Sequence, residues 1–382
     1  MIKNIPYWQL SLFYWFYFAS LGALIPYLGL YLSDSSYNAV EIGQLMATIM
    51  GTKIIAPYLW GWIADHRGNR LFIIRLGAFL SALAYSGIFI VASFWGLFLI
   101  FLSFSFFWNA ILPQFEALTF NHLEHNEHQY SWVRMWGSIG FICSVIGVGV
   151  LLNTIELSHL PIIVLCLLIG MVWTTFLIRD HNGRVYNESH LSLLKILKNK
   201  HIVALLLACL FVQASHGPYY TFYTLYAESH GYEKSWIGIL WAIGVFSEVL
   251  AFALMPWLVK RFSLRLLLLV SLFSGSLRWL LIAFFIDNVY LTVFAQIFHA
   301  STFGIYHAVA IAYIHHYFKA NNQGKGQALY SSISFGLGGA LGSLYGGYLW
   351  QSAGSSITFS IAAALSFIAF AISWQFAQPH PS

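Results

Sequence analysis

Apolar runs of about 20 residues follow one another from Tyr7 almost to the C-terminus. Wound as a helix at about 1.5 Å per residue, such a run crosses a hydrocarbon layer about 30 Å thick. A helix also satisfies its own backbone donors and acceptors, which lipid cannot do. Spans are expected at roughly 7–32, 41–63, 71–92, 95–120, 131–154, 159–179, 201–226, 235–258, 266–286, 289–318, 327–350 and 355–377. The expected class is therefore an all-α membrane protein of twelve transmembrane helices. With 59% hydrophobic and only 8% charged residues, about a third of the usual charged share, a soluble surface is excluded. The first run has only Lys3 before it and no small-residue cleavage pattern after a short apolar core, so it reads as a retained helix, not a signal peptide. Cys143, Cys166 and Cys209 lie inside apolar runs with neither disulfide nor zinc spacing.

The net charge of +5 is explained by where the charges fall. With the N-terminus inside, one face receives Lys3, Arg67, Arg70, Arg75, Arg179, Arg184, Lys195, Lys198, Lys200, Lys260, Arg261, Arg265, Lys319 and Lys325, and the other only Lys234. By the positive-inside rule both termini are cytoplasmic, in the inner membrane. No nucleic-acid partner is needed to account for the charge. The polar stretch 180–200 reads as a basic linker between an N-terminal half, 1–179, and a C-terminal half, 201–382. The halves echo each other: Ile42-Gly43-Gln44-Leu45 matches Ile237-Gly238-Ile239-Leu240 at an offset of 195 residues, and Ser138-Ile139-Gly140-Phe141 matches Ser332-Ile333-Ser334-Phe335 at 194. Two matches at nearly the same offset suggest a duplicated six-helix unit, with a site at mid-membrane between the halves.

Charges inside the spans mark candidate function, because each is costly in lipid. Glu116 and Arg134 lie 18 residues apart at the ends of consecutive runs. A helical hairpin brings such residues to similar depth, where pairing offsets their desolvation. Hydropathy alone would end the first helix near Phe120 and start the next near Ser131, leaving the pair at the water boundary; about one extra turn on each helix buries it. Lys53 lies about 18 Å into its span, too deep to snorkel, and under the internal repeat it superposes on Glu248. Lys53, Arg134 and Arg278 against Glu116 and Glu248 leave the middle of the membrane net positive, which favours an anion; alternatively Lys53 pairs with Glu116 or a carbonyl as structural glue. His216, His299 and His307 are also within spans, as core residues or proton carriers. His299, Thr302, Phe303, Tyr306 and His307 are expected on one helical stripe lining a pore. Tyr14, Phe18, Trp108, Tyr219, Tyr220, Trp241 and Trp279 offer stacking walls for a flat ring. His122, His125 and His128 read as a solvated loop with Glu124 and Glu127, not as metal ligands.

Between the second and third spans stands Gly61-Trp62-Ile63-Ala64-Asp65-His66-Arg67-Gly68-Asn69-Arg70, which resembles the signature of the major facilitator superfamily, with a gating role for Gly61, Asp65, Arg67, Gly68 and Arg70. His66 and Asn69 depart from the usual basic residues, and the second half lacks the aspartate at Val259-Lys260-Arg261-Phe262. Val133 to Ser138, Trp241 to Glu248, Ser276 to Trp279 and Gln296 to His299 followed by His307 resemble the proton symporters of the phenylpropionate permease group and, more distantly, of the lactose permeases. That resemblance implies two pseudo-symmetric six-helix halves and a substrate held by Glu116 and Arg134, with Phe141 as the stacking aromatic. It implies coupling through Glu248, Arg278 and His299; from their depth and residue type, Lys53, His216, Trp241 and His307 are also expected to face the substrate. One coupling acid of the lactose permeases is Thr302 here, and those of their seventh helix are absent at Gln213, His216 and Tyr219, so Glu248 becomes the expected proton site. The expectation is a monomeric, cofactor-free proton symporter importing a small organic solute, an aromatic carboxylate such as phenylpropionate, with a sugar or nucleoside as the alternative. A membrane-embedded enzyme would need a nucleophile, metal cluster or paired acids, none of which the sequence offers.

Overall fold

A computed structural model describes residues 6–123, 127–179, 198–318 and 322–377, where all regular structure is helical. Lys3, Glu124, His125, Arg184, Lys195, Lys319 and 180–197 of the linker lie outside the described residues, as does the side chain of Glu127. Among the described residues, eleven helices are long and apolar enough to span a bilayer: α1 (Tyr7–Asp34), α2 (Ala39–Arg67), α3 (Arg70–Phe89), α4 (Phe94–His122), α5 (His128–Leu151), α6 (Leu157–Phe176), α7 (Lys200–Ser229), α8 (Lys234–Arg261), α9 (Leu264–Phe285), α10 (Val289–Tyr317) and α12 (Ser355–Phe376). Between the last two, α11 is helical over 323–353 but rich in glycine and serine, hence less apolar. With it, the expected twelve helices are present among the described residues.

Local chemistry sets several boundaries. Asn38 and Glu41 form a reciprocal capping box at the start of α2, and Asn69, Ser93 and Ser263 accept backbone N–H groups at the starts of α3, α4 and α9. Gly68 ends α2 at φ 68°, a left-handed conformation that glycine adopts without steric cost. α4 runs on to His122 and the next helix begins by Glu127, so both helices pass the hydropathy boundaries and place Glu116 and Arg134 inside helices.

Equivalent devices recur in the two halves. Arg75 of α3 donates to Thr175 O (3.3 Å) and Ile178 O (3.0 Å) at the end of α6 and lies over the Phe176 ring. Arg265 of α9 donates to Trp374 O (2.6 Å) near the end of α12 and lies over the Trp374 ring. Each guanidinium satisfies carbonyls that a helix end leaves unpaired.

Across the halves, α2 packs on α11, α5 on α8 and α1 on α7. The first two seams are built from glycines at matching places. A Cβ at Gly43 would lie 2.7 Å from Ser343 O, and at Gly347 2.6 Å from Ala39 O; in the other seam, a Cβ at Gly238 would lie 2.6 Å from Val145 O, and at Gly149 2.5 Å from Lys234 O. Such separations leave room only for hydrogen, which is how small residues let membrane helices approach. Val40 N to Gln351 Oε1, Asn153 Nδ2 to Ser235 Oγ and Tyr27 Oη to Lys234 O add polar ties. All of these contacts lie toward the face opposite the two termini. At the terminal face the second part of α2, Ala56–Arg67, packs on α3 and α4 of its own half.

Three helices carry breaks near mid-depth. In α2 a tight turn at Thr52–Ile54 precedes Pro57, which has no N–H to give the carbonyl of Lys53. Asn109 of α4 holds this break by donating to Ile49 O (2.9 Å) and Thr52 Oγ1 (2.8 Å), and Ser332 Oγ of α11 donates to Ile54 O (3.2 Å). π-turns interrupt α10 at Ala300–Ile305 and α11 at Ser332–Gly338.

Candidate functional site

Two polar clusters form at this depth, one in each half. In the N-terminal half, Arg134 Nε lies 3.9 Å from Glu116 Oε1, at the edge of ion-pair range, with both side chains about one-third exposed. The Arg134 guanidinium sits over the Phe18 ring at 3.9 Å and near Tyr14 at 5.7 Å, contacts that favour a cation at a half-dry surface. Tyr130 hydrogen-bonds Glu116. A pair so loosely joined keeps donors and acceptors available to a third polar group.

In the C-terminal half Arg278 is fully buried. Its Nη1 donates to His299 Nδ1 (2.9 Å) and Thr302 Oγ1 (3.1 Å), and its Nη2 to Gln296 Oε1 (3.2 Å). The guanidinium lies over Tyr219 at 4.5 Å and Trp279 at 4.6 Å, and Tyr219 Oη donates to Gln296 Oε1 at 2.8 Å. Glu248 Oε2 is 3.5 Å from His299 Nε2. Glu248, His299 and Arg278 are joined in a chain, Glu248 to His299 to Arg278, because α10 carries its imidazole between α8 and α9. Arg278 can only donate, so His299 Nδ1 accepts and its Nε2 holds the ring proton, directed at Glu248.

The expected single stripe on α10 is divided. A π-turn admits an extra residue and changes which side chains share a face. His299, Phe303 and His307 stack as a column, with ring centroids 5.2 Å apart (17°) and then 5.9 Å apart (11°). Thr302 instead turns inward to Arg278, and Tyr306 lies buried beside Ser334. His307 Nδ1 meets Tyr330 Oη at 2.9 Å.

The other expected site residues fall as follows. Lys53 sits in the break of α2, its Nζ 3.6 Å from Met50 Sδ, with no carboxylate in ion-pair range among the described residues. The alternative pairing with Glu116 is not formed among the described residues. Phe141 packs against Gly22 of α1. Trp241 donates to Thr224 Oγ1 (3.2 Å), stacks with Tyr220 and lies tilted against Tyr219. His216 is buried on α7 beside Trp279. In the signature loop Asp65 and Arg70 form a 2.5 Å ion pair, while Asn69 caps α3, a use for the residue that departs from the family pattern; Gly61 faces Gln114. Arg67 ends α2 beside that turn. Sequence reasoning missed Gln296 and Asn109 as organising residues. The signal for Gln296 was present, an amide in an apolar run one turn before His299.

The comparisons agree with this architecture. The chain is 28% identical over 376 residues to the probable 3-phenylpropionic acid transporter of Escherichia coli (strain K12), covering 94% of each. It is 28% identical over 361 residues to the maltose permease of Geobacillus stearothermophilus, covering 92% of this chain and 90% of that one. The crystal structure of the nucleoside transporter NupG superposes with a TM-score of 0.85 at 18% identity, covering 98% of this chain and all of that one, and so speaks for the fold. With its model matched over residues 7–361, the chain belongs to the MFS_1 like family of major facilitator transporters.

Proposed function

We propose that this transporter is a proton symporter that imports a small aromatic carboxylate, such as phenylpropionate, by alternating access. The observation that carries the reading is Lys53: a cation at mid-depth whose recorded polar contact is a thioether. An unpaired ammonium in a membrane is costly, and an anionic solute would offset that cost while Arg134 engages its polar end and the aromatic walls its ring. Glu248, joined to Arg278 through His299, is the proton site. The terminal face is cytoplasmic, and contacts gathered toward the opposite face fit a state open to the cytoplasm. The halves 1–179 and 201–382, joined by 180–200, rock about the site, and the Gly61 to Arg70 segment takes part in the gate.

The test compares phenylpropionate with its neutral amide. Lys53→Met should weaken the acid about tenfold to a hundredfold more than the amide, the roughly 1.5–3 kcal/mol of a charge-assisted hydrogen bond. Equal losses would make Lys53 structural. The second reading, a sugar or nucleoside symporter, is favoured by the Glu116–Arg134 pair and by the similarity to a maltose permease and a nucleoside transporter; tighter binding of maltose or a nucleoside than of the acid would move the assignment there.

A further inference from the structure

We infer that His216 is a specificity-determining residue, a hydrogen-bond acceptor that selects aromatic carboxylates carrying a ring O–H or N–H donor over unsubstituted ones. This rests on the aromatic-carboxylate reading above and adds the requirement for a donor at the ring end of the substrate.

His216 is 1% exposed on α7. Its Nδ1 lies 2.8 Å from Val212 O. A carbonyl can only accept, so Nδ1 carries the proton and donates, leaving Nε2 of the neutral ring as a lone-pair acceptor. That Nε2 is buried and has no hydrogen-bond partner among the described residues. Gln213, nearly one turn earlier and 3% exposed, likewise leaves its buried Oε1 without one. Residues three apart share a helix face, so α7 brings two unanswered acceptors to one side.

The surroundings suit a ring. Tyr220 stacks on His216 at 5.9 Å, Trp279 meets it edge-on at 4.9 Å, and Phe303 and His299 lie at 6.4 and 6.3 Å. His299 ties this aromatic enclosure to the Glu248–Arg278 chain. A buried acceptor without a donor is costly. A ligand hydroxyl that reaches it removes the cost, whereas an analogue without the hydroxyl leaves it in place, and sites of this kind discriminate strongly. Lys53 and Arg134 offer no such rule, because they recognise charge at the other end of the solute.

The experiment measures binding to the purified full chain for 3-phenylpropionate, 3-(4-hydroxyphenyl)propionate, the 4-fluoro analogue and the amides of the first two. Wild type should favour the hydroxylated acid about tenfold or more over both the unsubstituted and the fluoro acid, because fluorine is similar in size but donates nothing. His216→Phe, which keeps a ring but removes the acceptor, should bring the hydroxylated and unsubstituted acids to within about twofold, and His216→Gln should retain the preference. An undiminished preference in His216→Phe overturns the inference, as does a wild type that binds the fluoro acid as tightly as the phenol. That wild-type arm decides the matter even where His216→Phe fails to fold. The acid-to-amide ratio reports separately on the carboxylate reading: equal binding of acids and amides sinks that reading without touching the hydroxyl preference. Binding of none of the compounds overturns both.

Discussion

Because Arg278 donates to His299 Nδ1, the imidazole serves as a spacer whose other nitrogen faces Glu248, and the proposed symport places the exchangeable proton on the carboxylate. Glu248→Gln should abolish uphill accumulation while leaving counterflow in place; accumulation driven by a pH gradient in that variant would refute the assignment. His299→Gln offers an oxygen to Arg278 and an N–H to Glu248, so it should keep a measurable part of coupled uptake where His299→Leu loses it. Equal loss in both would mean that the imidazole itself carries the proton. At the other cluster, Glu116 and Arg134 are 3.9 Å apart and should act as one unit. Neutral substitution of either should nearly abolish binding, with the double variant little worse, a coupling of about 0.5–3 kcal/mol in a double-mutant cycle. Additive losses would separate the two residues.

Among the elements, α2 shows how a helix can be broken within a membrane without stranding its backbone. Pro57 removes one donor, and Asn109 and Ser332 reach in from α4 and α11 to the carbonyls around the turn. Asn109→Leu is close in volume but removes the amide that donates to Ile49 O and Thr52 Oγ1, leaving only the bonds Thr52 Oγ1 makes to Ile49 O and Ser105 Oγ. It should cost about 1–3 kcal/mol, read as a lower Tm of the purified protein, and an unchanged Tm would show that Pro57 alone sustains the break. The turn matters to the site because it holds Lys53, and a regular helix there would point the amine elsewhere.

For the molecule as a whole, the face opposite the termini is closed by two glycine seams that repeat between the halves. Leucine at Gly149 or Gly347 would need space now occupied by Lys234 O or Ala39 O, at 2.5 and 2.6 Å from a Cβ. Either change should wedge this face apart. Spin labels on cysteines replacing Asn153 and Ser235 should then report a longer distance than in the parent, with helical content retained; an unaltered distance would mean that the seam does not hold the closed state. The repeat predicts the same outcome from both seams, since the contacts are equivalent.

Much of this was legible in one dimension because it depends on solvent and on local chain chemistry. Runs of apolar residues dictate spanning helices, the offset between Gly43 and Gly238 carries the duplication, Gly68 marks a turn that needs a positive φ, and the family signature reads directly. Glu116 and Arg134 were also foreseeable, since consecutive helices must return to similar depth. What the tertiary structure alone decided are the relations among helices distant in sequence. The placement of His299 between Glu248 and Arg278, the clamp of Asn109 on α2, the unanswered Nε2 of His216 and the division of the α10 stripe follow from π-turns and packing angles. Periodicity assumes a regular helix and cannot supply them: one extra residue in a turn moves each following side chain to a different face.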